Sequence, residues 1–226
     1  MKKTKGLIII GAGETALLAY EYFNYDTSYN VIAFAVNQAF IKEELINNLP
    51  VIALENLQDR YPAKSFDLFV AVSSGKLNRD RTALYLKFKD LGYNFASYIS
   101  SKAFIWHNVE IGENCFILEN NTLQPFVKIG NNVTLWSGNH IGHRTVIEDH
   151  CFISSQCVIS GFCQIGKSSF LGVNCTLEDN VKIANDNFIG AGACVRKDTE
   201  VNAFFQENQT ELSKINTHRL FRIKET

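Results

Sequence analysis

The sequence predicts a parallel β-solenoid preceded by a small α/β domain, and three observations lead to this fold class. Aliphatic residues recur at every sixth position across the C-terminal half of the chain. An apolar run near the N-terminus passes into a glycine turn and a helix start, the pattern of a βαβ unit. The length of 226 residues suits one large domain or two small ones. We therefore expect an α/β domain at residues 1–94, a solenoid at 95–200 and a terminal cap at 201–226.

The α/β domain is predicted from apolar strands at residues 6–10, 30–36 and 66–72 and from helical periodicity at 77–91. The turn after the first strand, Gly11-Ala-Gly13-Glu-Thr-Ala16, fits the G-x-G-x-x-A spacing that suits a phosphate at a helix N-terminus. A tight turn needed only for packing is the alternative. The second strand is followed by Asn37, where a nicotinamide ribose requires an acidic residue, so a dehydrogenase is not expected.

The solenoid prediction rests on the six-residue period. Seventeen consecutive positions at this spacing, from Ile99 to Val195, are Ile, Leu or Val, and we number them position one of each hexad. Position five is mostly small or compact, and position four is mostly Asn, Asp or Gly, which tolerate left-handed turns. Positions five and one flank one outward residue and share a strand face. Short strands with one inward face, separated by regular turns, form a parallel solenoid.

The same period assigns the cysteines and two asparagines to the interior. Five of the six cysteines occupy position five: Cys115, Cys151, Cys157, Cys163 and Cys175. We interpret them as small buried hydrophobes rather than as metal ligands or nucleophiles, and no metal is expected. Asn121 and Asn139 lie eighteen residues apart at position five, which predicts a buried amide ladder.

One stretch breaks the turn rule and also concentrates histidines. Position four is Arg144, His150, Gln156 and Phe162 in consecutive hexads. Three of the five histidines, His140, His143 and His150, lie in or beside this stretch. Departures from an otherwise consistent pattern often mark function, so residues 136–147 are where we expect chemistry.

Residues 141–149 resemble the active-site hexads of the hexapeptide-repeat sugar acetyltransferases. That group includes bacillosamine and perosamine N-acetyltransferases and the sialic-acid O-acetyltransferase-like enzymes. The resemblance implies a left-handed β-helix with three hexads in each coil, and it implies that His143 is the catalytic residue. The acidic residue that usually follows this histidine is Arg144 here, and a second histidine nine residues further on is Phe152.

The resemblance also implies the binding residues. The N-terminal domain of the similar enzymes holds the nucleotide of a nucleotide-linked sugar, and we assign substrate binding to Gly11, Gly13, Glu14, Asn37, Ser73 and Ser74. For the acyl donor, acetyl-CoA, we assign Phe152 and Gly161. An imidazole, with an unperturbed pKa of about 6.5, suits the general base of acyl transfer at neutral pH.

The predicted function is transfer of an acetyl group from acetyl-CoA to an amino or hydroxyl group of a nucleotide-linked sugar, in surface glycan synthesis. The alternatives are a non-catalytic sugar-nucleotide-binding or scaffold solenoid, and transfer of a different acyl group. A net charge of −1 gives no reason to expect a nucleic-acid or membrane partner. The apolar run at 7–10 is too short for an export signal, so a cytoplasmic location is expected.

Two further expectations concern surfaces. Outward aromatic residues at Phe116, Phe126, Trp136, Phe152 and Phe170 favour subunit contacts, and the resemblance implies a homotrimer with active sites between prisms. Beyond the repeat, Leu212, Ile215, Leu220 and Ile223 suit a short amphipathic cap on the solenoid end.

Overall fold

A computed structural model describes residues 3–206 and 212–223 of the chain. It consists of an N-terminal α/β domain packed against a triangular prism of stacked β-coils. The α/β domain runs through residue 95, and the first coil strand begins at Tyr98.

The N-terminal domain is a six-stranded sheet flanked by helices. Its strands are β1 (Lys5–Ile10), β2 (Tyr29–Val36), β3 (Leu45–Ile46), β4 (Leu49–Ala53), β5 (Asp67–Val70) and β6 (Asn94–Phe95), in the spatial order β3-β4-β2-β1-β5-β6. Its helices are α1 (Glu14–Asp26), α2 (Leu57–Arg60) and α3 (Arg79–Asp90), with short 3-10 turns at Gln38–Phe40 and Leu54–Asn56. All strand pairs are parallel except β3 with β4. The order reverses beside β1, which brings the loops after β1 and β5 to a switch point at the carboxyl edge, where ligands bind in such sheets.

The prism has three faces, and each face is a parallel sheet of two-residue strands. Face I contains β7 (Tyr98–Ile99), β10 (Phe116–Ile117), β13 (Thr134–Leu135), β16 (Phe152–Ile153), β19 (Phe170–Leu171), β22 (Phe188–Ile189) and β24 (Phe204–Phe205). Face II contains β8 (Phe104–Ile105), β11 (Thr122–Leu123), β14 (His140–Ile141), β17 (Val158–Ile159), β20 (Thr176–Leu177) and β23 (Cys194–Val195). Face III contains β9 (Glu110–Ile111), β12 (Lys128–Ile129), β15 (Val146–Ile147), β18 (Gln164–Ile165) and β21 (Lys182–Ile183). The predicted left-handed β-helix with an α/β domain is confirmed.

The interior of the prism follows the hexad pattern. Position-one residues from Ile117 to Ile189 are at most 4% exposed, and the five position-five cysteines are buried free thiols. The predicted amide ladder is present, because the backbone N–H of Asn139 donates to Asn121 Oδ1 and that of Cys157 donates to Asn139 Oδ1. The oxygen and the nitrogen of both ladder amides are therefore hydrogen-bonded, as a dry interior requires.

The turn-rule exceptions keep the turn conformation. Arg144, His150, Gln156 and Phe162 have φ values of 59, 66, 62 and 59°, like the asparagines at the same position in other hexads. A side chain other than Gly or Asn costs roughly 1–2 kcal/mol in this region. The same cost applies at five consecutive turns, because Ser168 in the next hexad has a φ of 58°, and the neighbouring strands keep their regular pairing.

The α/β domain packs on face I and on the two corners beside it. Tyr22 donates to Glu119 at one corner, and at the other Val70 N–H donates to Asn114 Oδ1. Arg81 is almost fully buried between them, donating to Thr134 Oγ1 and to the Asn132 carbonyl. Burial lowers the pKa of the Arg81 guanidinium to about 10.

This packing corrects part of the expectation about outward aromatic residues. Phe116 is 2% exposed and Trp136 is half-buried, because both pack with the core of the α/β domain. Their own chain covers them, so they are not free to make subunit contacts. Phe152 and Phe170 remain half-buried on face I, stacked with ring centroids 5.1 Å apart.

The C-terminal part differs from the predicted cap. The coil continues beyond residue 200, since β24 pairs with β22. The following helix, α4 (Thr217–Phe221), is short, and the four residues expected to form the apolar side are 47–97% exposed: Leu212, Ile215, Leu220 and Ile223. Residues 207–211 of the predicted cap lie outside the described residues. Over the described ranges, no helix combines the length and apolar character that crossing a membrane would need.

Candidate active site

His143 lies at the corner of the prism between face II and face III. It belongs to the turn that joins β14 to β15, and the left-handed residue Arg144 follows it. The His143 side chain is exposed to solvent. The corner is opposite face I, to which the α/β domain is attached.

Gln124, in the preceding coil, is the polar residue in contact with His143. The backbone N–H of His143 donates to Gln124 Oε1 at 2.9 Å, and His143 Nδ1 lies 3.4 Å from the same oxygen. The sequence did not point to Gln124, because the acidic residue of the similar enzymes directly follows the histidine in the chain. Two carboxylates in neighbouring hexads, Asp149 and Glu119, are engaged elsewhere: Asp149 accepts from the Asn131 N–H, and Glu119 accepts from Ser137 and Tyr22.

Gly161 and Phe162, in the following coil, hold the other side of the imidazole. The Phe162 ring meets it edge-on with centroids 4.9 Å apart. A Cβ added to Gly161 would lie only 2.6 Å from His143 Cε1 and 3.1 Å from Nε2. The His143 ring therefore lies directly over the Gly161 Cα, which gives Gly161 a role in seating the histidine.

The neighbouring residues give the corner an aromatic and cationic character. The Arg144 guanidinium lies over the Phe126 ring, 4.5 Å from its centroid, and Phe126 and Phe162 are each almost half exposed. Packing requires a glycine at position 142, because a Cβ added to Gly142 would lie 2.5 Å from the Gly161 nitrogen.

The two residues assigned to the acyl donor lie in different places. Gly161 is at the His143 corner, whereas Phe152 is on face I, where the Arg81 guanidinium lies 6.0 Å from its ring centroid. Within one chain, the structure does not bring Phe152 and His143 together.

His150, another of the turn-rule exceptions, is half-buried at the corner between faces III and I, and burial lowers its pKa.

The carboxyl edge of the N-terminal sheet forms a cavity of about 420 Å³. It is lined by Gly11, Asn37, Phe40, Lys76 and Asp80, together with apolar strand and helix residues. Gly11 has φ +130°, and a Cβ there would lie 2.5 Å from the Ala71 carbonyl oxygen, so only glycine fits between β1 and β5. Lys76 was not singled out from the sequence; it is the cation of this cavity and pairs with Asp80 at 3.1 Å.

Gly13 borders a second cavity, of about 590 Å³, on the other side of Phe40. A Cβ added at Gly13 meets no atom within 4 Å, so packing does not require glycine there. The residue caps α1 and is exposed together with Glu14, whose carboxylate lies in the first turn of that helix.

The loop after β5 carries the remaining predicted residues. Ser73 and Ser74 start it, and Lys76, Leu77 and Asn78 follow with three successive positive φ values of 51, 47 and 63°. Strained backbone of this kind is common at ligand-binding loops. The Asn78 side chain is fully buried and donates to the His150 carbonyl at 2.8 Å, which ties the loop to the prism.

The predicted site residues therefore form two groups on opposite sides of the prism. Gly11, Asn37 and the loop at 73–78 lie in the α/β domain, which covers face I. His143 and Gly161 lie at the opposite corner. Among the residues that the structure describes, no group of three or more His, Cys, Asp or Glu side chains is arranged to hold a metal ion.

The comparisons with known proteins agree with this architecture. The family model described as "Bacterial transferase hexapeptide (six repeats)" matches residues 126–161, the stretch that contains His143. Perosamine N-acetyltransferase from Caulobacter crescentus, in complex with CoA and GDP-perosamine, superposes with a TM-score of 0.80 at 23% identity, over 89% of this chain and 94% of that one. The acetyltransferase domain of PglB from Neisseria gonorrhoeae, in complex with acetyl coenzyme A, superposes with a TM-score of 0.80 at 20% identity, over 90% and 97% of the two chains.

These matches confirm the predicted resemblance in its repeat and in its fold. Both domains are shared, because the aligned share of each chain is about nine tenths. Below 25% identity the likeness concerns the fold, and the reaction has to be argued from the site of this chain.

Proposed function

We propose that this chain, which joins the bacterial transferase hexapeptide repeat to the fold of the sugar N-acetyltransferases, transfers an acetyl group from acetyl-CoA to a nucleotide-linked sugar. The observation that carries the proposal is the exposed His143 imidazole, seated between Gln124 and Gly161 inside the stretch that the family model matches. The solved structures of the same fold contain acetyl coenzyme A, or CoA with GDP-perosamine, which supports both the donor and the acceptor class.

In the proposed reaction, His143 acts as the general base. The acceptor nitrogen or oxygen attacks the thioester carbonyl and its proton passes to the imidazole. The carbon–sulfur bond then breaks, the imidazolium gives that proton to the departing sulfur, and CoA leaves as the thiol. General-base assistance of this kind typically contributes about a hundredfold to ten-thousandfold in rate. The donor binds beside His143, and Gly161 at that corner is the residue of this chain that we associate with it.

The nucleotide is proposed to bind at the carboxyl edge of the N-terminal sheet. Gly11 and Gly13 directly precede α1, whose first backbone N–H groups favour a phosphate. Glu14, Asn37, Ser73 and Ser74 lie in the segments that follow β1, β2 and β5 at this edge, and Lys76 supplies a positive charge to the cavity. The open space around the Gly13 Cα supports close approach of a ligand to the backbone.

A homotrimer is proposed because the two halves of the site lie on opposite sides of one prism. Face II, which borders the His143 corner, supports this arrangement. Its outward side chains are all free of carboxylate, ammonium and guanidinium groups: Phe104, Thr122, His140, Val158, Thr176 and Cys194. Depletion of charge is typical of subunit interfaces. A second copy packed on face II would supply its own α/β domain to His143.

The cellular setting is also part of the proposal. Five buried free thiols suit a reducing compartment, which supports a cytoplasmic location. Nucleotide-linked sugars are donors for glycan assembly, so we infer a role in making a surface glycan.

Acetyl-CoA binding tests the proposal against a non-catalytic scaffold. Ligand at a hundred times its Kd stabilises a native protein by about 2.7 kcal/mol, which raises Tm by several degrees. We expect such a shift with acetyl-CoA, and acetyl transfer to a member of a panel of nucleotide-linked amino and hydroxy sugars. No shift with acetyl-CoA would favour the scaffold, and a shift only with another acyl-CoA would favour a different acyl group.

A further inference from the structure

We propose that Gln124 is the positioning residue of His143, fixing the imidazole in the tautomer that carries its proton on Nδ1. This inference rests on the proposed function, because it assigns Nε2 as the nitrogen that accepts the acceptor's proton. Gln124 lies in the preceding coil, nineteen residues before His143. It takes the place of a carboxylate directly after the histidine in the chain.

The orientation of the Gln124 amide follows from its contact with the backbone. The oxygen and nitrogen of an amide are distinguished by their hydrogen-bond partners. The His143 backbone N–H, 2.9 Å from Gln124 Oε1, is a donor, so the amide oxygen must face it. The reverse orientation would point an NH₂ group at an N–H group.

The same oxygen determines the protonation of the ring. Gln124 Oε1 is an acceptor, and the nearer ring nitrogen, Nδ1 at 3.4 Å, must therefore be the donor. A neutral imidazole carries one proton, so Nε2 keeps its lone pair. Among the described residues, no group is hydrogen-bonded to His143 Nε2, which leaves it open to a substrate.

The distance of 3.4 Å is long for a hydrogen bond, and this fits a resting site. Catalytic hydrogen bonds are often long before substrate binds and tighten in the complex. The ring is already restricted on its other side by Gly161 and by the edge of Phe162. A small rotation of the ring toward Gln124 would shorten the contact.

A neutral amide has a different chemical effect from a carboxylate. A carboxylate stabilises the imidazolium that forms during catalysis, whereas an amide oxygen stabilises it less. Arg144 adds a positive charge to the same corner and is held on the Phe126 ring. Replacing Gln124 by glutamate would therefore favour the protonated imidazole and move the acid limb of the pH profile upward.

Two readouts test the proposal. The tautomer of His143 is measured by ¹⁵N chemical shifts of the ring in the full-length protein, with the signals assigned by their loss in His143→Ala. The variants are Gln124→Met, which keeps the length of the side chain without an acceptor, and Gln124→Glu. The matched control is Gln164→Glu, the same change at an exposed glutamine on face III.

We expect the wild-type ring to be protonated on Nδ1 at high pH, and Gln124→Met to give a mixture of tautomers. In steady-state assays Gln124→Met should lower kcat about tenfold, the effect of losing one neutral hydrogen bond. Gln124→Glu should retain activity and shift the acid limb of the pH–rate profile upward by about one unit, while Gln164→Glu leaves it in place.

Three results would overturn the proposal. They are a proton on Nε2 in the wild type, an unchanged tautomer in folded Gln124→Met, and an acid limb that Gln124→Glu does not move. If no substrate is turned over at all, the proposed function fails, and the ring ¹⁵N shifts still decide whether Gln124 sets the tautomer.

Discussion

Substituting Gly161 by alanine tests the geometry of the His143 corner at the level of single atoms. The added Cβ would lie 2.6 Å from His143 Cε1, 3.0 Å from Nδ1 and 3.1 Å from Nε2. Ordinary carbon contacts begin near 3.5 Å. The ring must therefore move by about 1 Å, and because His143 is exposed it has room to do so.

The expected effect falls on turnover and not on stability. A displacement of about 1 Å in a catalytic group can lower the rate about a hundredfold. The glycine has no left-handed backbone requirement, and its N–H bond to Asp179 Oδ1 is unaffected by a methyl group. We expect kcat of Gly161→Ala to fall about a hundredfold and Tm to stay within a few degrees of the wild type.

Gly142→Ala is the matched comparison, since its added Cβ would meet backbone atoms of the next coil at 2.5 Å. Backbone cannot move aside cheaply, so this variant should lose stability. Kinetics separate the two roles of Gly161. Contact with the acyl donor predicts a raised KM for acetyl-CoA, whereas seating of His143 predicts a lowered kcat at saturation. Full activity in folded Gly161→Ala would refute the packing argument.

Four further predictions cover the rest of the molecule. His143→Ala should lower turnover by about a hundredfold or more with acetyl-CoA still bound, while His140→Ala should not; a loss only in His140→Ala would move the base to that residue. Gly13→Val should raise KM for the nucleotide sugar without changing acetyl-CoA affinity, and an unchanged KM in the folded variant would remove phosphate from that turn. Val158→Arg, which puts a charge on face II, should convert the proposed trimer to smaller species in light scattering; a wild-type monomer at micromolar concentration would contradict the trimer itself. Burial lowers the pKa of His150, so the unfolded chain binds a proton at this residue more readily than the folded chain does. The contribution of His150 to stability is therefore fully present above about pH 6.5 and is lost as pH falls below that value. In urea titrations, the free energy of unfolding of His150→Asn should fall less between neutral and acid pH than that of the wild type.

The fold was predictable because one pattern repeats throughout it. Position-one aliphatic residues and the buried cysteines follow from the period alone, and the strands begin and end where that period puts them. The surface was less predictable. Phe116 and Trp136 point outward from the prism as expected, but the attached α/β domain covers them. A repeat pattern determines which way a side chain points and contains no information about which domain packs on that face.

The candidate site was predicted in part. The position of His143 at an exposed turn follows from the hexads, whereas its ring is held by two residues to which the sequence had given another role or none. Gly161 was assigned to the acyl donor and Gln124 was not considered. Lys76 lines the cavity, but the sequence did not distinguish it from the other residues of the loop after β5.

The contacts of His143 follow from the way in which a solenoid converts distance along the chain into contact. One coil is eighteen residues, so a residue touches those about eighteen positions before and after it on the same corner. Asp149 is one hexad, or six residues, after His143, and Glu119 is one coil and one hexad, or twenty-four residues, before it. Each of them therefore lies at a different corner of the triangle from His143. Gln124 and Gly161 are nineteen before and eighteen after, which puts both of them on the corner of His143. The residues that contact a catalytic side chain in a three-hexad coil are therefore those about one coil away in the sequence. Chain neighbours such as Arg144 mainly reflect the conformation of the turn.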